Sequence, residues 1–91
     1  MSFYNVYEFK VEYVYPYSMS VVFCEIVNSL SDARNKIKSY VRSCNDIKNY
    51  SFLFIKYTFD KSDNSLVDSN YMSLTGFARE YKNKLEVKKY E

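Results

Sequence analysis

The sequence predicts an α+β domain in two layers: an antiparallel sheet of about five strands backed by one amphipathic helix, in the order β-β-α-β-β-β. Three observations lead there. Aromatic and β-branched residues alternate with period two over residues 3–15 and again over residues 50–60. One central stretch repeats its apolar residues at helical spacing. The segments between them carry turn and cap chemistry. With 91 residues, 47% apolar and 26% charged, the chain has the balance of one globular domain.

The first strand is expected over 3–15. Phe3, Tyr7, Phe9, Val11, Tyr13 and Tyr15 fall on one face, and Tyr4, Val6, Glu8, Lys10, Glu12 and Val14 on the other. Pro16-Tyr17-Ser18 interrupts the alternation, because proline cannot donate to a sheet ladder, and a turn belongs there. Residues 20–27 read as the return strand of a hairpin. Asn28-Ser-Leu-Ser-Asp32 is a helix start: Ser29 or Ser31 can accept from free backbone N–H groups, and Asp32 suits the positive end of the dipole. The helix is expected over 32–45, with Ala33, Ile37, Tyr40 and Cys44 stacked toward the sheet and Val41 at the stripe's edge.

Residues 50–60 form the most apolar stretch. Leu53, Ile55, Tyr57 and Phe59 share one face, and Phe52, Phe54, Lys56 and Thr58 the other, as in a central strand covered on both sides at its start. Residues 61–65 are a polar loop. Beyond it the signals conflict. Residues 71–81 alternate as a strand, yet Phe77, Tyr81 and Leu85 recur at helical spacing. Gly76 weighs against a helix interior. The balance favours a strand over 71–81, a turn at Lys82-Asn83 and a last strand over 85–90. One helix leaves part of such a sheet uncovered, and an uncovered aromatic face suits an interface, self-association included.

Composition narrows the chemistry. There is no histidine, two cysteines and one glycine. A zinc site of the usual ligands, a Ser-His-Asp triad, a Cys-His pair and a glycine-rich phosphate loop are therefore excluded. No cofactor or metal is expected. Asp60, Asp63 and Asp68 bracket a loop without the spacing of a calcium site. Cys24 and Cys44 read as small buried hydrophobes, with a disulfide as the alternative. No apolar run approaches the ~20 residues of a membrane-spanning helix. Without a signal-peptide pattern at the start, the expected location is cytoplasmic.

The net charge of +2, from 13 basic and 11 acidic residues, is mild. Its distribution is uneven. Arg34, Lys38 and Arg42 line one edge of the helix, and Lys82, Lys84, Lys88 and Lys89 cluster in the tail. The row can grip phosphates or an acidic protein; it is also what the solvated side of any amphipathic helix looks like. Phe52, Phe54 and Lys56 place rings and charge on a strand as RNA-recognition sheets do, but the glycine-aromatic consensus of those sheets is missing. The abundance of Tyr, Phe, Asn and Lys fits an AT-rich genome, and tyrosine also makes contact surface.

The expectation is a small non-enzymatic protein of viral, phage or mobile-element type. It would bind and occlude a host protein or nucleoprotein complex, in the manner of anti-defence inhibitors such as anti-CRISPR proteins. Arg34, Lys38, Arg42, Lys82, Lys84 and Lys88, with Tyr4 and Tyr17, are the expected partner-binding residues. Direct nucleic-acid binding through the basic helix edge and a homodimeric structural or regulatory module are the alternatives.

Overall fold

A computed structural model describes residues 2–14, 19–44 and 47–88. Four strands form one antiparallel sheet: β1 (Phe3–Val14), β2 (Met19–Val27), β3 (Tyr50–Asp60) and β4 (Leu66–Ser73), in the spatial order β2-β1-β3-β4. Two α-helices, α1 (Leu30–Ser43) and α2 (Thr75–Lys88), accompany it, and a short 3-10 turn (Ile47–Asn49) leads into β3. The class is α+β, as the periodicities predict.

The pleat assigns the faces. Phe9 and Val11 on β1, Val27 on β2 and Phe52 on β3 are buried with Ala33, Ile37 and Val41 of α1 and with Leu74 and Ala78 at the start of α2. Both helices therefore lie on one side of the sheet. Rings knit that side together. Tyr7 stacks on Phe54 at 5.3 Å between centroids, and Phe9 on Phe52 at 6.3 Å; both are diagonal cross-strand pairs. Tyr40 reaches down from α1 to meet Tyr50 and Phe52 edge-on at 5.6 and 5.7 Å.

Local chemistry sets the boundaries. Ser29 caps α1 by accepting from the Asp32 N–H at 3.1 Å, while Asp32 accepts from the Asn28 N–H at 3.2 Å. The β3–β4 turn is held by its own carboxylates. Asp60 accepts from the Ser62 N–H and hydroxyl, and Asp63 from those of Ser65. Asn64 takes the left-handed φ of 58° there, which asparagine tolerates better than most residues. At the far end of β4, the Thr75 hydroxyl accepts from the Phe52 N–H at 3.1 Å while the Leu74 N–H donates to the Phe52 carbonyl at 2.8 Å. The start of α2 thus continues the ladder that β4 leaves.

Several expectations need correction. The described sheet has four strands where five were expected, and there are two α-helices where one was expected. Residues 66–70, which lie between the expected loop and the expected strand, belong to β4, and residues 75–81 are helix, not strand. Lys82 and Asn83 lie inside α2 and make no turn, and Leu85 continues the helix where a last strand was expected. Residues 89 and 90 of that expected strand lie outside the described residues. Gly76 falls in the first turn of α2, where the interior penalty does not apply, and a Cβ there would meet nothing within 4 Å. Helix α1 ends at Ser43, short of the expected 45, because the Cys44 N–H closes it on the Val41 carbonyl. Within its stripe Val41 is fully buried, whereas Tyr40 is half-buried. Finally, β3 is central but covered on one side only: Phe52 is buried beneath the helices, while Leu53 and Ile55 on the other face are half-buried.

The result is a flat slab, 55 × 33 × 16 Å. Its radius of gyration of 15.6 Å exceeds the roughly 12 Å of an equally long compact domain. The helices stand over one end of the long β1–β3 ribbon. At the other end Phe3, Asn5 and Lys56 are exposed even on the helix side, and the Thr58 hydroxyl donates to Asn5 at 3.0 Å across the strands.

Candidate interaction surfaces

The predicted basic row exists, and it has an unforeseen companion. Arg34, Lys38 and Arg42 recur every four residues on α1, a rise of about 6 Å per step. They border α2. The Arg34 guanidinium lies 5.6 Å from the centre of the Phe77 ring, Lys38 Nζ 5.8 Å from that of Tyr81, and the Arg42 guanidinium 5.7 Å from the same ring. Phe77 and Tyr81 are themselves half-buried against the core, so each ring has one task below and one above. Like charges at this spacing repel by about 0.2–0.5 kcal/mol per pair. The ring quadrupoles offset that, at about 0.5–1 kcal/mol per exposed contact. Arg42 gains further from the negative end of α1.

None of the three cations lies within ion-pair distance of a carboxylate among the described residues. A ring face leaves a guanidinium's in-plane N–H donors free for an outside acceptor. Lys84 sits across the seam with Lys38 and Tyr81, and pairs weakly with Glu80 at 3.6 Å, both side chains well exposed. The four cations and two rings, with Glu80 beside Lys84, therefore form one ridge along the outer surface of the helical layer.

The remaining predicted residues lie elsewhere. Lys82 points to the opposite flank of α2 and donates to the Cys44 carbonyl at 3.4 Å, satisfying an end of α1. Lys88 is the last residue of α2, and its side chain lies outside what the structure describes. Tyr4 lies on the bare side of the sheet, stacked on Phe59 at 5.3 Å, and its hydroxyl donates to Asn64 at 3.1 Å. Tyr17 lies outside the described residues. Phe52 and Phe54, the candidates for base stacking, face the helices; Phe52 is fully buried and Phe54 is taken up by Tyr7. Cys24 corrects the buried reading: it is exposed on β2, pairing with Lys10 on the bare side, while Cys44 ends α1 on the helical side. Both thiols are free.

The bare face is the second surface. Val6, Leu53, Ile55, Tyr57 and Phe59 run along its two central strands and are half-buried, flanked by exposed Ile26 and Tyr71. Glu8 accepts from the Tyr57 hydroxyl at 3.1 Å. Burial first, and then that bond to Glu8, push the Tyr57 phenol above its ordinary value. On the helical side, burial and then the hydrogen bond with Tyr50 push Tyr40 up to about 12. Lys36 is raised by its 2.9 Å bond to Glu25, which pins α1 to β2. No helix of the described residues is long and apolar enough to cross a membrane.

Comparison with protein-family models, with curated proteins and with solved structures finds no match.

Proposed function

We propose that this chain is a non-enzymatic binding protein that docks through the α1–α2 ridge onto an acidic surface of a protein or nucleoprotein complex. One observation carries this reading. Arg34, Lys38 and Arg42 are held in a row by the rings of Phe77 and Tyr81, with no carboxylate partner among the described residues. Cations set in place by rings lose less freedom on binding than free side chains do, and such a ridge steers an acidic partner into register. The action that results from docking without chemistry is occlusion. Together with the AT-rich composition, this supports a small inhibitor from a virus, phage or other mobile element, acting on a host complex in the cytoplasm.

Direct nucleic-acid binding is the second reading, because the same row suits phosphates. The two rings expected to stack on bases do not support it, since Phe52 is buried and Phe54 is stacked on Tyr7.

The test is capture of host-lysate material on the tagged chain, with and without nuclease, read for protein and nucleic acid together. The expected result is a stoichiometric protein that survives nuclease and is lost when Arg34, Lys38 and Arg42 are all changed to Gln. Nucleic acid alone, released by salt, overturns the protein reading in favour of the second. Capture untouched by the triple change removes the ridge from both.

A further inference from the structure

We infer that the bare face of the sheet is the self-association surface of this protein, and that its occupant is a second copy of the chain. The α1–α2 ridge lies on the other side of the sheet, so this inference stands apart from the proposed function.

Area is the first argument. The strands run 12, 9, 11 and 8 residues. At about 3.3 Å per residue and 4.8 Å between strands, the face offers about 600 Å² per chain, so that two copies bury about 1,200 Å². That reaches the range of stable specific interfaces, about 1,200–2,000 Å². The face is apolar enough to gain from it: Ile26 is 63% exposed and Tyr71 76%. A second sheet is also the layer that a 16 Å slab lacks, and face-to-face sheets pack about 10 Å apart.

Charge is the second argument, and it selects the partner. Glu8, Lys10 and Glu12 alternate in sign along β1 on this face, between the inward-facing Phe9 and Val11. A patch carrying both signs in a line is complementary to its own image under a two-fold rotation. Let β1 lie over its copy running the opposite way, with the rotation axis at the level of Phe9. Glu8 of each copy then faces Lys10 of the other. The ladder fixes the neighbouring contacts: Ile55 pairs with Glu8 and Leu53 with Lys10, so Ile55 of each copy covers Leu53 of the other. A lipid surface would instead have to desolvate the charged row without matching it.

The experiment is sedimentation of the full chain over a concentration series. Wild type is expected to be a dimer. Lys10→Glu, which leaves three like charges in line, should weaken it at least about tenfold. The swap Glu8→Lys with Lys10→Glu restores opposite signs across the axis and should recover most of the loss. Ile26→Lys and Tyr71→Lys alter side chains that are already exposed, so folding is preserved, and both should give monomer. Circular dichroism confirms that each variant is folded. A wild-type monomer at millimolar concentration overturns the inference. So does a dimer indifferent to Ile26→Lys and Tyr71→Lys, or a swap no better than Lys10→Glu alone.

Discussion

Tyr81 is the residue on which the ridge depends, and its ring face can be separated from its bulk. The face serves Lys38 and Arg42 at 5.8 and 5.7 Å. Two exposed cation–π contacts at about 0.5–1 kcal/mol each make about 1–2 kcal/mol. Tyr81→Phe keeps the face and should change stability by less than about 0.5 kcal/mol. Tyr81→Leu keeps an apolar side chain but has no quadrupole, so it should lose the full contribution together with some packing. In a domain of this size each kcal/mol moves the melting temperature by about 4–8 °C. A double-mutant cycle of Arg42→Gln with Tyr81→Leu removes the packing difference: Arg42→Gln should cost about 0.5–1 kcal/mol less in the Tyr81→Leu background than in wild type. Chemical denaturation of the four proteins measures it. Equal costs for Phe and Leu at position 81, or no coupling with Arg42, would refute the stacked ridge.

Single residues elsewhere carry further tests. Gly76→Ala meets open space in the first turn of α2 and should stabilise by about 0.4–1 kcal/mol in thermal unfolding, by narrowing the unfolded ensemble. Ser29→Ala removes the cap of α1 and should cost about 1 kcal/mol by the same measurement. Tyr40 binds its proton more tightly folded than unfolded, so stability should hold below the ordinary phenol value of 10.0 and decline as pH rises toward about 12. Tyr40→Phe should flatten that alkaline decline in a pH series of melting temperatures. Alkylation of the native protein should modify exposed Cys24 before half-buried Cys44, and equal rates would contradict the assigned faces.

Much of the fold is legible in the sequence where one signal dominates. Strong alternation places β3 at Tyr50–Asp60 to the residue and assigns its two faces. Cap chemistry places the start of α1 within two residues, since Ser29 and Asp32 act as their types suggest. The second half resists because its signals are weak or opposed. Leu66–Ser73 is rich in Ser, Asn and Asp and has little strand preference of its own. It becomes a strand because the Asp60 and Asp63 turns fold it back onto the free edge of β3. In α2 the spacing of Phe77, Tyr81 and Leu85 is visible, but Gly76 reads as an interior residue when it stands at the end. The site suffers with it. The basic row can be read from α1 alone, whereas its rings come into view only once α2 is a helix. The bare face is foreseeable, though not its extent, because a second helix would have been free to cover the other side and packs beside the first instead.

The two proposals assign separate tasks to the two sides of one sheet, and a crossed comparison tests that division most directly. Two variants, the triple Gln change of Arg34, Lys38 and Arg42 and the single Tyr71→Lys, are each measured for partner capture and for self-association. The ridge variant should lose capture and remain a dimer, and the sheet variant should become a monomer that still binds the ridge's partner. A ridge variant that keeps its partner, or one substitution that abolishes both properties in a folded protein, would contradict the division.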